Sequence, residues 1–457
     1  MGEDTWDLVV LGSGGAAMAA GIEARSRGKQ VLLVEHGALG GTCLNIGCVP
    51  SKNLLAAAGQ RHRALTNPFP MVPTSAGTVD LPALMAQEQE RIDDLRHVKY
   101  AHVADAHGLP IRHGHARFLD ARTLEVDGEP VLGAAYVIAT GTTPHIPDLR
   151  GLDEVPYLTS TTAMELQSLP SSMVVMGGGY VGLEQAQLWA HLGVRVTLVG
   201  RFAPHTEPEL AEVLRGVFAD DGITVIEERV VAVERTGDGV LVRTAGGSQV
   251  TGELLLVATG RIADTDDLGL ELAGVATDDR GFIVVDAFQR TTHPRVFAAG
   301  DVSGAPQYVY VAARTGHVAA AGALGEPQRV DDRGLPGVTF TTPQIGSSGL
   351  TEAQALAAGH DCDCRVLQAK DIPRALANRD TRGALKLVAD ATTGKVLGVH
   401  AALDGAGDVM LAATYAITFG LTVDDVADTW APYLTMSEAL RIAAGLFRSD
   451  KPTSCCA

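Results

Sequence analysis

DLVVLGSGGAAMAAGIEARSRGKQVLLVEHG, Asp7 to Gly37, decides the fold. An apolar run leads into a glycine turn, then an alanine-rich segment, then a second apolar run. That order reads as strand, turn, helix, strand. Gly12, Gly14 and Ala17 match G-x-G-x-x-G/A. In such a turn the first glycine permits the tight bend, and the second lets a pyrophosphate approach the backbone at a helix N-terminus. Glu35 ends the next strand, where a carboxylate can accept hydrogen bonds from a ribose diol. This half suits an unphosphorylated ribose such as that of FAD.

A second segment repeats the pattern. SMVVMGGGYVGLEQAQLWAHLGVRVTLVGR, Ser172 to Arg201, carries Gly177, Gly179 and Gly182. Its spacing is the same, since 35 − 12 = 200 − 177 = 23. Gly200 stands where the first segment has Glu35, and Arg201 follows it. A missing carboxylate removes repulsion of a 2′-phosphate, and a neighbouring guanidinium can pair with one, so this half predicts NADPH over NADH. YVIATG (Tyr136 to Gly141) and LLLVATG (Leu254 to Gly260) echo each other as apolar strands ending in Thr-Gly. Each brings its glycine, Gly141 or Gly260, close to a bound dinucleotide.

Leu81 to Ala106 has helical patterning. After Gly334 the composition shifts. GALKLVADATTGKVLGVHAAL predicts antiparallel strands around a turn at Thr392–Gly394, followed by helices near Asp408–Gly420 and Ser437–Phe447. The expected architecture is α/β: two Rossmann-like dinucleotide-binding domains plus a C-terminal α+β dimerisation domain. The expected divisions are an FAD-binding part over residues 1–158, an NADPH-binding part over 159–269, a return to the FAD and central region over 270–334, and a dimerisation domain with its cysteine tail over 335–457.

The formal charge of −18 argues against nucleic acid as a partner. No run of about 20 apolar residues is present, so no membrane span is expected. Glu3 and Asp4 stand where a secretory signal would be basic, which points to a cytoplasmic protein. The six cysteines fall in three close pairs, Cys43/Cys48, Cys362/Cys364 and Cys455/Cys456. In a chain this long they are not a disulfide scaffold, and close pairs suggest redox or metal chemistry.

The first pair lies in GGTCLNIGCVPSK, Gly40 to Lys52. On a regular helix, positions i and i+5 are roughly 8–9 Å apart, too far for a disulfide, which needs about 4.4–6.8 Å. A distorted helical turn is therefore expected, for which Gly47 and Pro50 are suited. A helix N-terminus and Lys52 would both favour a thiolate.

The pattern G-G-T-C-x-N-x-G-C-x-P-S-K resembles the active site of the pyridine nucleotide–disulfide oxidoreductases. The resemblance extends over nearly the whole chain, including VFAAGDVSGAPQYVYVAA, Val296 to Ala313. It implies that Cys48 lies against the flavin as a thiolate and that Cys43 is the outer sulfur. It implies a Lys52–Glu184 pair beside the flavin and Asp301 on the ribityl or pyrophosphate region. Ala17, Gly37, Thr42, Ala116 and Val309 fall where the family contacts FAD, and Tyr180 where it covers the nicotinamide side.

Disulfide-reducing members carry H-P-T-x-S-E near the C-terminus, whose His is the acid–base catalyst. This chain reads APYLTMSEAL, Ala431 to Leu440, so Tyr433 takes the His position. A phenol with a pKa near 10 is a poor proton shuttle at neutral pH. The chain ends KPTSCCA, and two adjacent thiolates are soft ligands for a soft metal ion. Tyr433, the tail, and Tyr157 in PYLTST resemble the mercuric reductases within this family. That resemblance implies NADPH-driven reduction of Hg(II) to Hg(0) by a homodimer. Cys455 and Cys456 of one subunit would take the metal from thiol complexes and pass it to Cys43 and Cys48 of the other, with Tyr157 and the partner's Tyr433 assisting. An NAD(P)H-dependent disulfide reductase of the dihydrolipoamide dehydrogenase or glutathione reductase type is the alternative. Many relatives have an N-terminal G-M-T-C-x-x-C motif that this sequence lacks, so mercury is expected to come directly from small thiols or a separate carrier. Cys362 and Cys364, in HDCDCRV, share one face of a strand. An auxiliary metal relay and plain surface or core cysteines both remain open for them.

Overall fold

The computed structural model describes residues 6–237 and 239–449. Cys455 and Cys456 lie outside the described residues.

The first parallel sheet has the order Val296–Ala298, Gly133–Ile138, Trp6–Leu11, Val31–Glu35, Ile111–His113. Its strands read as continuous apolar runs because both faces are covered, one by helices that include α1 and the other by the small antiparallel sheet Ala116–Phe118, Leu124–Val126, Glu129–Val131; Val9 and Val10 on the central strand are fully buried. Helix α1 (Gly15–Ser26) connects the first two strands in sequence. The second parallel sheet has the order Thr224–Ile226, Arg195–Val199, Ser172–Met176, Leu254–Val257, Tyr157–Thr159.

The repeat seen in the sequence is a repeat in space. Leu11 lies opposite Val34 as Met176 lies opposite Val199. The Gly12 N–H donates to Val34 O at 2.7 Å, and the Gly177 N–H to Val199 O at 2.8 Å. Glu35 and Gly200 are therefore equivalent positions. The expected division at residue 158 falls inside a strand. Tyr157–Thr159 pairs with Leu255–Val257, so the chain has already joined the second unit at Tyr157.

Between the two sheets in sequence lie α2 (Gly41–Asn45), α3 (Cys48–Leu65), α4 (Leu81–Arg96) and α5 (His102–Ala106). A π-helical turn, His97–Ala101, joins α4 to α5. The second unit contains α6 (Tyr180–Leu192) and α7 (Pro208–Asp220). The C-terminal region is a five-stranded antiparallel sheet, ordered Pro336–Thr339, Gln344–Gly349, Val396–Leu403, Ala384–Asp390, Cys362–Gln368. Helices Ala406–Thr418 and Glu438–Gly445 pack on it around a shared core.

Candidate active site

Two glycines show what the dinucleotide turns are built for. Gly12 has φ +111°, and a Cβ there would lie 2.5 Å from Ala139 O; the equivalent values for Gly177 are +116° and 2.3 Å from Ala258 O. These positions require glycine for the bend itself. Gly14 and Gly179 differ. Both are extended, with φ −72° and −77°. A Cβ at Gly14 would meet nothing closer than 3.7 Å, and one at Gly179 nothing within 4 Å. Neither conformation nor packing demands glycine there, so the open space is that of a ligand pressed against the backbone. Neither α1 nor α6 has a side-chain N-cap, which leaves the first-turn amides available to an anion. Glu35 accepts from Ser13 Oγ at 2.5 Å and from the Gly37 N–H at 2.6 Å. A carboxylate has about four acceptor positions, so capacity remains for a ribose diol. These residues fit the dinucleotide cofactor that the sequence implies.

At the second turn, Gly177, Gly200 and Arg201 line a cleft of about 680 Å³. Glu227, Glu228 and Arg229 also line it. Both carboxylates are engaged, Glu227 with Arg215 at 2.6 Å and Glu228 with Ser248 at 3.0 Å. The cleft's free positive charge thus comes from Arg201 and Arg229. Arg229 was missed in the sequence because it enters from the far end of the strand Thr224–Ile226. Glycine at Gly141 and Gly260 has positive φ, with open space beside each.

The redox pair sits at a break between two helices, the distorted turn that the spacing required. Cys43 lies in α2, and Cys48 is the first residue of α3. Gly47 separates them, and a Cβ there would press within 2.9 Å of Thr42 O. The two sulfurs share a hydrogen bond, which holds the Cys43 thiol well above its usual range. The same bond, opposed by burial and assisted by Lys52, brings Cys48 down to about 7. Cys48 is the thiolate of the pair. Alkylation of the reduced holoenzyme by iodoacetamide should therefore rise about tenfold per pH unit below pH 7 and level off above it. A profile still rising steeply between pH 8 and 9 would remove this assignment.

Lys52 Nζ lies 2.7 Å from Glu184 Oε2. The C-terminal region fixes this pair, because the Phe340 N–H donates to Glu184 Oε1 at 2.8 Å and the Phe340 ring lies 4.9 Å from Lys52 Nζ. Asp301 is raised from its usual range by burial, and Thr142 donates to it at 3.3 Å. Ala17 is fully buried in α1, Ala116 begins a short strand, and Val309 begins a helix with its side chain partly exposed. Tyr180, at the start of α6, is hydrogen-bonded to Tyr308.

Tyr157 lies on the edge strand of the second sheet and packs against that unit's core. The tyrosine beside the redox pair is Tyr100. Burial, then the charges of Cys43 and Cys48, push its phenol up to about 12. It belongs to the π-helical turn after α4. Such turns carry one extra residue and recur at functional sites.

Tyr433 is half exposed on the loop before the last described helix, where Leu434 has φ +60°. Next to it Glu438 is buried, with Oε2 lacking a hydrogen-bond partner. Cys362 and Cys364 lie on the edge strand of the antiparallel sheet. Burial raises both thiols, Cys364 to about 12, so at neutral pH they are protonated and poorly prepared as metal ligands.

Residues 6–316 match the family model described as pyridine nucleotide-disulphide oxidoreductase, and residues 335–444 match that family's dimerisation domain. A mercuric reductase from Streptomyces lividans is 51% identical over 99% of this chain and 98% of its own length. One from Staphylococcus aureus is 42% identical over 99% of this chain and 84% of its own length. Among solved structures, the HOCl-induced flavoprotein disulfide reductase RclA from Escherichia coli superimposes with a TM-score of 0.85 at 30% identity, covering 95% of this chain and 98% of that one. With both dinucleotide turns, the split-helix cysteine pair and the C-terminal sheet in place, the chain belongs to the pyridine nucleotide-disulphide oxidoreductase family.

Proposed function

We propose that this protein reduces Hg(II) to Hg(0) with NADPH, in the balance NADPH + Hg²⁺ → NADP⁺ + H⁺ + Hg⁰. The observation that carries the reading is Tyr433 at the position of the acid–base His, in a chain 51% identical to a mercuric reductase over almost its full length. Bound FAD supplies two-electron transfer between the nicotinamide and the cysteine side. The chain's residues do the rest. Cys48, as thiolate, and Cys43 clamp the soft metal ion. Tyr100 holds a neutral phenol beside both sulfurs, able to donate to a thiolate while metal ligands exchange. Lys52, held by Glu184, adds positive charge next to Cys48. Tyr180 guards the nicotinamide side.

The protein works as a homodimer in the cytoplasm, where NADPH and small thiols supply the electrons and the Hg(II) complexes. No helix among the described residues is long and apolar enough to cross a membrane. Leu411, Tyr415 and Phe419 form an exposed stripe at helical spacing along the helix Ala406–Thr418 and just past its end, 58%, 54% and 73% exposed. We place the subunit contact there. Cys455 and Cys456 of one subunit then hand the metal to Cys43 and Cys48 of the other. In excess thiol, NADPH oxidation should depend on added Hg(II). Turnover with oxidised glutathione or lipoamide and no response to Hg(II) would favour a disulfide reductase instead.

Arg201 and Arg229 select the phosphorylated cofactor. Arg201→Glu should lower the NADPH/NADH ratio of kcat/KM by about 100-fold, since a charge-assisted pair becomes a repulsion. A wild-type enzyme that already prefers NADH would sink this assignment.

A further inference from the structure

Helices α3 and α6 carry the site at their N-terminal ends, with Cys48 and Lys52 on one and Tyr180 and Glu184 on the other. They pack through a shared apolar core that includes Leu54, Ala58, Leu183 and Ala186. Their C-terminal ends meet in a second polar cluster that the proposed reaction does not use. His62 of α3 and His191 of α6 stack at 3.8 Å, and both face Asp221 at the end of α7. His191 Nε2 lies 2.9 Å from Asp221 Oδ2, and His62 Nε2 lies 3.5 Å from Oδ1. The three ligand atoms fall within 4.8 Å of one another.

We propose that His62, His191 and Asp221 form a site for a borderline divalent cation such as Zn²⁺, which staples α3 to α6 at the end opposite the redox pair. Two imidazoles and one carboxylate are a ligand set suited to such ions. Tetrahedral coordination at about 2.0–2.2 Å places ligand atoms about 3.3 Å apart, inside the range observed. An outer layer is present. Gln187 Nε2 donates to Asp221 Oδ2 at 2.8 Å, and Gln187 is itself held by the Thr342 N–H at 2.6 Å and the Thr342 carbonyl at 2.9 Å. Such partners orient ligands. Asp221 and His191 are almost fully buried. The two nearby guanidinium groups are committed, Arg61 to the His191 carbonyl at 2.8 Å and Arg382 to Asp380 at 2.9 Å. A metal ion would add to the counter-charge that the buried carboxylate takes from the Arg382 guanidinium. The stacked rings must open for both nitrogens to reach one ion. His62 is the more accessible of the two, at 13% side-chain exposure, and is the ring that moves.

The test is zinc titration by calorimetry of the oxidised holoenzyme after N-ethylmaleimide treatment, which removes free thiols from competition. One saturable equivalent is expected. His62→Gln should weaken it by at least about 100-fold, beyond the 10–100-fold of an outer-layer partner. No saturable site, or equal affinity in His62→Gln and Asp221→Asn, overturns the proposal. If the variants lose flavin, electron paramagnetic resonance of Cu²⁺ bound to the same treated wild-type protein decides. Two coupled imidazole nitrogens support the site, and fewer overturn it.

Discussion

Replacing Cys48 by serine should lower Hg(II) reduction at least about a thousandfold while leaving reduction of the flavin by NADPH within a few-fold of wild type. The size of the effect follows from what one atom does. A free thiol of pKa near 8.5 is about 3% thiolate at pH 7, whereas Cys48 at about 7 is about half thiolate. Two features produce that difference against the opposing effect of burial: first the hydrogen bond from Cys43, then the charge of Lys52. A serine hydroxyl stays protonated and is a hard oxygen ligand, so both the anion and the softness needed for mercury are lost together. Stopped-flow bleaching of the flavin separates the two half-reactions. Hg(II) turnover within tenfold of wild type in the serine variant would show that the metal is reduced without this sulfur. Cys43→Ala should also abolish turnover, but by a different route, since Cys48 then loses its hydrogen-bond donor and moves back toward the ordinary cysteine value.

Local sequence carried the parts of this site that are local. A glycine turn is written in a few residues, and its function in Gly12 and Gly177 follows from φ and from one carbonyl behind each. The equivalence of Glu35 and Gly200 was legible because both units use the same strand–helix–strand length. The split helix at Cys43 and Cys48 followed from distance alone. What failed was whatever depends on an irregular element or a distant partner. Tyr100 was passed over because Leu81–Ala106 reads as a regular amphipathic helix. One extra residue in the turn His97–Ala101 rotates the following side chains by about 100° relative to that reading. The surroundings of Tyr157 are equally non-local, because its strand joins a sheet whose other strands come later in the chain. Nothing in PYLTST announces pairing with Leu255–Val257.

Lys386→Met should cost about 3–5 kcal/mol of stability, a large loss for a residue outside the catalytic site. Lys386 sits in GALKLVAD, where a lysine in an apolar strand reads as solvent-facing, yet it is 1% exposed. Its Nζ lies 3.1 Å from Glu207, 2.9 Å from Glu209 and 2.6 Å from Glu352. Burial alone would push the ammonium down, but the three carboxylates outweigh it and hold it above the ordinary lysine value. Glu209 and Glu352 are about 40% exposed and can turn to water. Glu207 cannot, because it is buried and also accepts from the Glu352 N–H at 2.7 Å. Methionine therefore leaves one carboxylate stranded in a dry interface, and that is the source of the loss. The interface docks α7 of the second dinucleotide unit onto the antiparallel sheet, the same region that supplies Phe340 to the Lys52–Glu184 pair. Loosening it should lower the midpoint of thermal unfolding by about 5 °C or more. Adding Glu207→Leu to Lys386→Met should recover much of the loss, because the stranded charge is then gone. A single variant within 1 kcal/mol of wild type, or a double variant no better than the single, would show that the lysine does not hold these elements together.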